Sequence, residues 1–216
     1  MKNRFIYILA VVLTVLSFDG LGQAQAIIAK TVVLSPEDQQ ALLQVEQYLN
    51  ELTTLKARFR QRASNGEEEQ GTLYLARPKR MRVEYDLPNP NLLISDGTYL
   101  TFVDRELDNA TTIYLSMTPA ELILRDKMSF QAGDIIVNGF ERGRGVVRVS
   151  LIKAADPLAG RLTLVFSQRP LALKQWNVLD AQGIETEISL SNVRMGQIFD
   201  KALFNYEVKD QDADLK

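Results

Sequence analysis

The chain has 216 residues, with 25 Lys and Arg against 27 Asp and Glu, and its formal net charge of −2 supplies no basic surface for bulk nucleic-acid binding. It contains no His and no Cys, which excludes imidazole and thiolate catalysis, His or Cys metal ligands, and disulfides. Because 46% of the residues are apolar and the charges nearly balance, the composition indicates one globular domain, not a disordered tail or a multi-pass membrane protein.

The N-terminal residues have the pattern of an export signal. Lys2 and Arg4 precede the uncharged apolar run Phe5 to Leu16, and Ala24-Gln25-Ala26 matches a small-x-small cleavage site. An apolar run of about twelve residues is too short to span ~30 Å of hydrocarbon. We therefore predict a cleaved signal peptide over residues 1–26 and a single domain over residues 27–216.

A helix is predicted next. Ser35 followed by Pro36 and two acidic residues is a helix start, with Ser as N-cap and Pro at the first helical position. The following apolar residues recur every three or four positions, which predicts an amphipathic helix with one apolar stripe that ends near Thr53. The stripe consists of Leu42, Val45, Leu49 and Leu52.

From Leu55 onward the apolar period becomes two, as in strands with one dry and one solvated face. Only residues 116–133 leave room for a crossover helix, so the pattern predicts an antiparallel meander. After the strand that starts at Leu55, the strand candidates are 70–76, 80–85, 91–95, 98–103, 111–115, 134–140, 146–153, 161–167, 173–180, 184–193 and 202–208.

A second helix is predicted midway through the sheet. Thr118-Pro119-Ala120-Glu121 has the residues of a capping box, with Pro at the first helical position, and leads into the apolar residues 122–124.

The acidic run Asp104 to Asn109 alternates carboxylates as a calcium loop does. An EF-hand needs Gly at the sixth position and Glu at the twelfth, where this chain has Asn109 and Leu115, so we interpret the run as a hairpin turn. The chain also has no G-x-S-x-G motif. We predict a protein that is not an enzyme and has no catalytic residue, metal or cofactor. An envelope hydrolase built on Ser, Lys or carboxylates stays open as an alternative.

Arginines alternate along two of the predicted strands. Arg58, Arg60 and Arg62 share one strand face, and Arg80 and Arg82 share another. If the two strands lie close together, these side chains form a basic stripe that could meet anionic lipid headgroups or an acidic partner. The alternative is a solvated outer face whose charges oppose aggregation.

Four short motifs then follow one another along the chain: Phe59-x-Gln61, Gly71-Thr-Leu73-Tyr-Leu75-Ala-Arg77-Pro78, Tyr85-x-x-Pro88 and Ser95-Asp96-Gly97. Behind an export signal and an amphipathic helix, this order resembles the LolA family, the periplasmic carriers of outer-membrane lipoproteins. The resemblance covers about residues 42–208. It implies a mainly β (α+β) fold, an unclosed antiparallel β-barrel of about eleven strands with a helical lid over an apolar cavity.

The resemblance also implies a function. The protein would be a periplasmic chaperone that accepts acylated lipoproteins from an inner-membrane ABC transporter, shields their acyl chains and delivers them to the outer membrane. We expect a monomer with no nucleic-acid partner, and the sequence leaves open whether an outer-membrane receptor takes part. The alternative is a periplasmic lipid or lipoprotein sensor on the same fold that regulates an envelope stress response.

The resemblance assigns roles to individual residues. Arg77 matches the family's arginine, which implies a latch that hydrogen-bonds the helical lid in the free protein. Met81 and Val83 depart from the pattern, since family members often carry Phe and another aromatic residue there. We predict that the acyl-chain cavity is lined by Phe59, Leu73, Leu75, Met81, Val83, Leu93 and Leu100 of the strands, and by Leu42, Val45, Leu49, Leu122 and Ile123 of the lid.

Overall fold

The first helix begins where the sequence predicts. The computed structural model describes residues 32–206, so the predicted export signal lies outside the described residues. Helix α1 spans Pro36–Glu51, and the hydroxyl of Ser35 accepts a hydrogen bond from the N–H of Asp38 (3.2 Å). The C-cap is Leu52, one residue before the predicted end. Within residues 32–206, no helix is long and apolar enough to cross a bilayer.

Eleven antiparallel strands form one continuous sheet. Each strand lies within a few residues of a segment that the period-two pattern predicts. The strands are Thr54–Ala63 (β1), Glu68–Ala76 (β2), Arg80–Tyr85 (β3), Leu92–Asp96 (β4), Tyr99–Asp104 (β5), Asn109–Tyr114 (β6), Ile135–Gly143 (β7), Val146–Lys153 (β8), Gly160–Gln168 (β9), Leu171–Asp180 (β10) and Glu185–Met195 (β11).

The sheet is an unclosed barrel. Its strand order is β6-β5-β4-β3-β2-β1-β11-β10-β9-β8-β7, so the chain builds one half outward from β1 and then returns to pair β11 with β1. Strands β6 and β7 are the two edges and do not pair with each other. The connection between them contains a 3-10 helix, Leu115–Met117, and helix α2, Ala120–Leu124. The predicted fold class is confirmed.

One apolar core joins both halves of the sheet to α1. Alternate residues of β1, among them Leu55 and Phe59, are buried on the same side as Val45 and Leu49 of α1. Apolar side chains of β8, β9 and β10 join the same cluster, which means that the sheet curls around the helix. Full burial of one Leu, Val or Phe side chain is worth about 1.5–3 kcal/mol, so this cluster is the main source of stability.

The predicted capping box of the second helix is wrong. The Thr118 side chain is buried, and its hydroxyl donates to the carbonyl of Leu115 (2.9 Å) instead of accepting from the helix. Pro119 precedes the helix as its N-cap residue, and the Glu121 carboxylate accepts from the guanidinium of Arg125. Both side chains therefore bond to other nearby residues and do not form the reciprocal bonds of a capping box.

The strand predicted at 202–208 is also wrong within the described residues. The chain forms a 3-10 helix, Lys201–Phe204, in which the Asp200 carboxylate accepts from the N–H of Ala202 (2.9 Å). Phe204 is buried against the outer face of the sheet, where the carbonyl of Leu203 accepts from Arg82 of β3 (3.1 Å). Both edges of the neighbouring strands are already paired, so this segment covers the sheet instead of extending it.

The family-like motif residues around Gly71 form one packing unit. The ring of Phe59 packs edge-on against Tyr85, with ring centroids 5.4 Å apart, and the hydroxyl of Tyr85 donates to the side-chain oxygen of Gln61 (3.2 Å). Burial raises the pKa of the Tyr85 phenol, which therefore stays a donor. A Cβ at Gly71 would lie 2.0 Å from the carbonyl oxygen of Glu84 and 2.7 Å from the Phe59 ring. Only glycine fits at this position.

We predict that Gly71→Ala lowers the free energy of unfolding by about 3 kcal/mol, because the added methyl group must push β3 or the Phe59 ring away. Urea denaturation followed by far-UV circular dichroism measures the change. The matched control is Gly143→Ala, since nothing lies within 4 Å of a Cβ there. Equal stability of the two variants would contradict the packing role of Gly71.

Candidate functional site: the interior cluster and the Arg77 bridge

The twelve side chains predicted to line a cavity all lie in the interior of the curled sheet. Nine are buried in the main apolar cluster, and Leu42, Leu93 and Leu100 are partly buried against it. The structure therefore brings every one of these residues together. Their contact with acyl chains stays a prediction.

Burial shows which side chains of β2 and β3 face the interior. Leu73 and Leu75 point into the interior, whereas Tyr74 lies outside against Phe199, with ring centroids 5.8 Å apart. Met81 and Val83 also face the interior, with 5% and 8% of their surface exposed. Their departure from the family pattern thus changes the size of interior side chains and not of surface ones.

The other half of the sheet contributes interior residues that the sequence-based site omitted. The sequence predicts both segments, β8 and β9, as strands, and their period-two alternation is the signal that marks these residues as interior. The fully buried members are Val149, Leu151, Leu162, Leu164 and Phe166.

Arg77 joins two helical segments that are far apart in sequence. Its guanidinium donates to the carbonyls of Leu49 and Leu52 (3.3 Å for Leu52) at the end of α1. It also donates to the carbonyls of Arg125 (2.7 Å) and Asp126 (3.3 Å), directly after α2. We call this set of hydrogen bonds the Arg77 bridge.

The chemistry of the bridge suits arginine in particular. Carbonyl groups in the last turn of a helix have no intrahelical partner and carry partial negative charge. A planar guanidinium offers five N–H donors in a fixed fork, which a lysine ammonium does not. Burial lowers the pKa of Arg77, but the pKa of a guanidinium is normally so far above neutrality that the side chain remains charged. The bridge is therefore a set of charge-assisted hydrogen bonds.

Two neighbouring turns, Arg77-Pro78 and Ser95-Asp96-Gly97, hold Arg77 in position. The N–H of Lys79, which has a positive φ of 65°, donates to the carbonyl of Leu124 at the end of α2 (2.6 Å). The carbonyl of Lys79 in turn accepts from the buried hydroxyl of Ser95 (2.7 Å). The Arg77-Pro78 turn and the Ser95-Asp96-Gly97 turn are thus joined. Both motifs are visible in the sequence, but the contact between them is not.

Polar residues of α1 make a second connection to the segment after α2. The side-chain amide of Asn50 donates to the carbonyl of Met128 (2.9 Å) and accepts from its N–H (2.8 Å). The carboxylate of Glu46 accepts from the N–H of Phe130 (2.7 Å). With the Arg77 bridge, these contacts join α1, α2 and residues 125–130 into one unit, which we call the lid.

Ion pairs attach α2 to the returning half of the sheet. Arg125 contacts both Glu121 (3.0 Å) and Asp134 (2.6 Å), and the Lys153 ammonium of β8 lies 3.7 Å from Glu121. The Arg125 side chain is only 16% exposed, so these pairs are screened less than surface pairs. The lid therefore has polar attachments on both sides.

The arginines of β1 and β3 do not form one continuous basic stripe. Strand β2 lies between the two strands, and three of the five arginines have acidic partners, as in Arg62 with Glu68 (2.7 Å) and Arg82 with Glu84 (2.7 Å). Arg80 lies over the Phe204 ring, 5.6 Å from its centroid. This face fits the solvated alternative better than an anionic-lipid surface.

The acidic run after β5 is a hairpin turn, as predicted. One carboxylate oxygen of Asp104 accepts from the N–H groups of Glu106 (2.9 Å) and Leu107 (3.0 Å). Among residues 32–206, no three acidic side chains come together in a group that could hold a metal ion.

We predict that Arg77→Leu loosens the lid without unfolding the sheet, because it removes the guanidinium from four backbone carbonyls. Hydrogen–deuterium exchange should show amides of residues 122–130 exchanging about tenfold faster, while β8 and β9 exchange as in the wild type. The control is Arg62→Leu, which removes an exposed β1 ion pair. Unchanged exchange in residues 122–130 would mean that the other contacts alone hold the lid.

Comparisons with known proteins agree with this architecture. The family model of the outer membrane lipoprotein carrier protein LolA matches residues 50–207. The chain is 30% identical over 193 residues to an outer-membrane lipoprotein carrier protein of Azotobacter vinelandii, covering 84% of this chain and 92% of that protein. It is 31% identical over 181 residues to one of Pseudomonas aeruginosa, covering 80% and 86%.

Crystal structures that match the chain include a LolA superfamily protein from Nitrosomonas europaea, with 12% identity and a TM-score of 0.43 over 77% of this chain and 97% of that one. A DUF1329 family protein from Desulfovibrio piger has 11% identity and a TM-score of 0.47 over 79% and 97%. By its matching family model and its relatives at about 30% identity, the chain belongs to the LolA family of outer-membrane lipoprotein carrier proteins.

Proposed function

We propose that the protein is a periplasmic carrier that binds the acyl chains of lipoproteins released from the inner membrane and delivers them to the outer membrane. The observation that carries the proposal is a lid, closed by the Arg77 bridge, over an interior made of apolar side chains from both halves of the sheet. An interior of this kind suits binding of acyl chains better than catalysis. The names of the relatives support lipoprotein as the cargo.

Arg77 acts as the latch of the lid in this proposal. A carrier without cargo must hide its apolar surface, because large exposed apolar patches lead to aggregation. Lid closure does this and fills the interior with the protein's own side chains. Entering acyl chains must break the hydrogen bonds of Arg77 and displace the lid residues Leu42, Val45, Leu49, Leu122 and Ile123.

The energetic cost of opening keeps the affinity for cargo shallow. Each buried methylene group contributes about 0.8 kcal/mol, so acyl chains held in a rigid, preformed pocket would be released too slowly for a shuttle. Part of the free energy gained by burying the acyl chains offsets the loss of the Arg77 hydrogen bonds and of the lid packing. The carrier can then pass its cargo from an inner-membrane ABC transporter to the outer membrane, with or without a receptor there.

The first test is a release assay. Spheroplasts that hold newly made lipoprotein are incubated with the purified protein, and the supernatant is searched for a soluble complex by size-exclusion chromatography and immunoblotting. We expect lipoprotein to leave the membrane in a ratio near one to one with the carrier, as a monomer would give. Absence of release, with the transporter shown to be active by a carrier known to work, would contradict the proposal and favour a lipid or lipoprotein sensor on the same fold.

Arg77→Leu tests the latch. Since the variant loses the interactions that favour the closed, empty state, we expect loading to be retained and unloading to be at least tenfold slower. The unloading rate is measured by transfer of lipoprotein from the complex to outer-membrane vesicles, with Arg62→Leu as the control. Equal unloading rates for the two variants would exclude the latch role.

A further inference from the structure

Tyr48, in the last turn of α1, connects the helix to the returning half of the sheet. Its hydroxyl accepts a hydrogen bond from the N–H of Leu173 in β10 (3.2 Å) and donates to the sulfur of Met195 at the end of β11 (3.6 Å). Its ring packs edge-on against the fully buried ring of Phe166 in β9, with ring centroids 5.5 Å apart. One side chain of α1 therefore contacts three neighbouring strands.

The N–H of Leu173 needs this hydroxyl because the sheet is irregular at that point. The pairing of β9 with β10 shifts register between Leu173 and Gln175, as at a β-bulge. Within the described part of the chain, β11 pairs with β10 only along residues 175–179, so Leu173 lies outside that stretch. Leu173 is 1% exposed, and a buried N–H without an acceptor is costly. The hydroxyl of Tyr48 thus supplies the acceptor that a neighbouring strand would otherwise provide.

The last turn of α1 is therefore fastened on two sides. Arg77, which follows β2, binds the carbonyl of Leu49, and the preceding residue, Tyr48, is bound through its side chain to β10. The two attachments hold different parts together. The Arg77 bridge joins α1 to the residues after α2, whereas Tyr48 joins α1 to the sheet. A helix that moves away from the interior must break both attachments.

We propose that Tyr48 is a second positioning residue of the lid, whose hydrogen bond with Leu173 favours the closed, empty state and breaks when acyl chains displace α1. The inference rests on the proposed function and deepens it, because it identifies what holds α1 to the returning half of the sheet. When α1 moves, the ring of Tyr48 leaves Phe166, and acyl chains pack against Phe166 in its place.

This role has a consequence for affinity that a purely structural role lacks. A contact that exists only in the closed state opposes loading, so its removal stabilises the loaded state relative to the empty one and tightens the binding of acyl chains. A contact that exists in both states stabilises both equally. Its removal lowers the free energy of unfolding and leaves the affinity unchanged.

Tyr48→Phe separates the two roles, because it keeps the ring against Phe166 and removes only the hydroxyl. The Kd of a fluorophore-labelled dipalmitoyl lipopeptide is measured by fluorescence anisotropy. We expect the variant to lower this Kd about tenfold, since only the closed state loses the acceptor of a buried N–H. The matched control is Tyr114→Phe, which removes a hydroxyl from an exposed residue of β6 and should change the Kd by less than about twofold.

Met195→Leu tests which hydrogen bond of Tyr48 carries the effect. A thioether sulfur is a weak acceptor and leucine has a similar volume, so the Kd should stay within about twofold of the wild-type value. A decrease equal to that of Tyr48→Phe would contradict the assignment to the N–H of Leu173.

Movement of α1 is measured independently by pulsed electron paramagnetic resonance. The chain has no cysteine, so Gln47→Cys on α1 and Gln182→Cys in the β10–β11 turn each accept one spin label. Both positions are exposed. Addition of the unlabelled lipopeptide should shift the distribution of distances between the two labels, because α1 leaves β10.

Two results would overturn the inference. One is an unchanged Kd in Tyr48→Phe together with a lower urea midpoint of unfolding, which would assign Tyr48 to the stability of the fold alone. The other is an unchanged distance between the labels under conditions in which the lipopeptide is bound. A wild-type protein that binds no lipopeptide would instead count against the carrier function, so the two failures are distinguishable.

Discussion

A half-buried positive charge sets the geometry of the lid. The guanidinium of Arg77 leaves bulk water and must replace its hydration with acceptors, and the chain provides four backbone carbonyls for this purpose. Those carbonyls come from the end of α1 and from the residues after α2, so satisfying one side chain brings two distant segments together. The positive φ of Lys79 and the buried hydroxyl of Ser95 contribute to the same arrangement, because both shape the turns that position Arg77.

The apolar interior and the polar lid contacts have complementary roles. The interior supplies most of the stability, because both halves of the sheet bury their alternate residues against α1. The lid contacts are fewer and directional, as in the paired hydrogen bonds between Asn50 and Met128. Under the proposed function, the lid contacts would break during loading while the apolar interior keeps the sheet folded.

Much of the fold could be predicted from the sequence because local periodicity reflects burial. The change of period from three or four to two at Leu55 marks the passage from α1 to the sheet, and the motif glycine at Gly71 marks a close approach of two strands. The failures have a common cause. Residues 202–206 alternate like a strand, but no free sheet edge lies beside them, and Thr118 resembles a cap but is used in a buried contact.

The candidate site, like the fold, could be predicted only where local periodicity determines it. The twelve interior side chains follow from periodicity and the family motifs, since burial repeats along each element. The contacts of Asn50 and Glu46 with residues 128–130 could not be predicted, because that segment has no periodic pattern and the pairing spans about eighty positions in the chain. The sequence left two alternatives for the arginines of β1 and β3, because strand order, which places β2 between these strands, is not a local property.

All four acceptors of the Arg77 bridge are main-chain oxygens. Main-chain oxygens are present whatever side chain stands at positions 49, 52, 125 and 126, so substitutions there leave the acceptors in place as long as the helices keep their path. One apolar side chain of the lid can therefore replace another without removing an acceptor of the Arg77 bridge. The side-chain requirement of the bridge then falls on Arg77 and on the turns that position it.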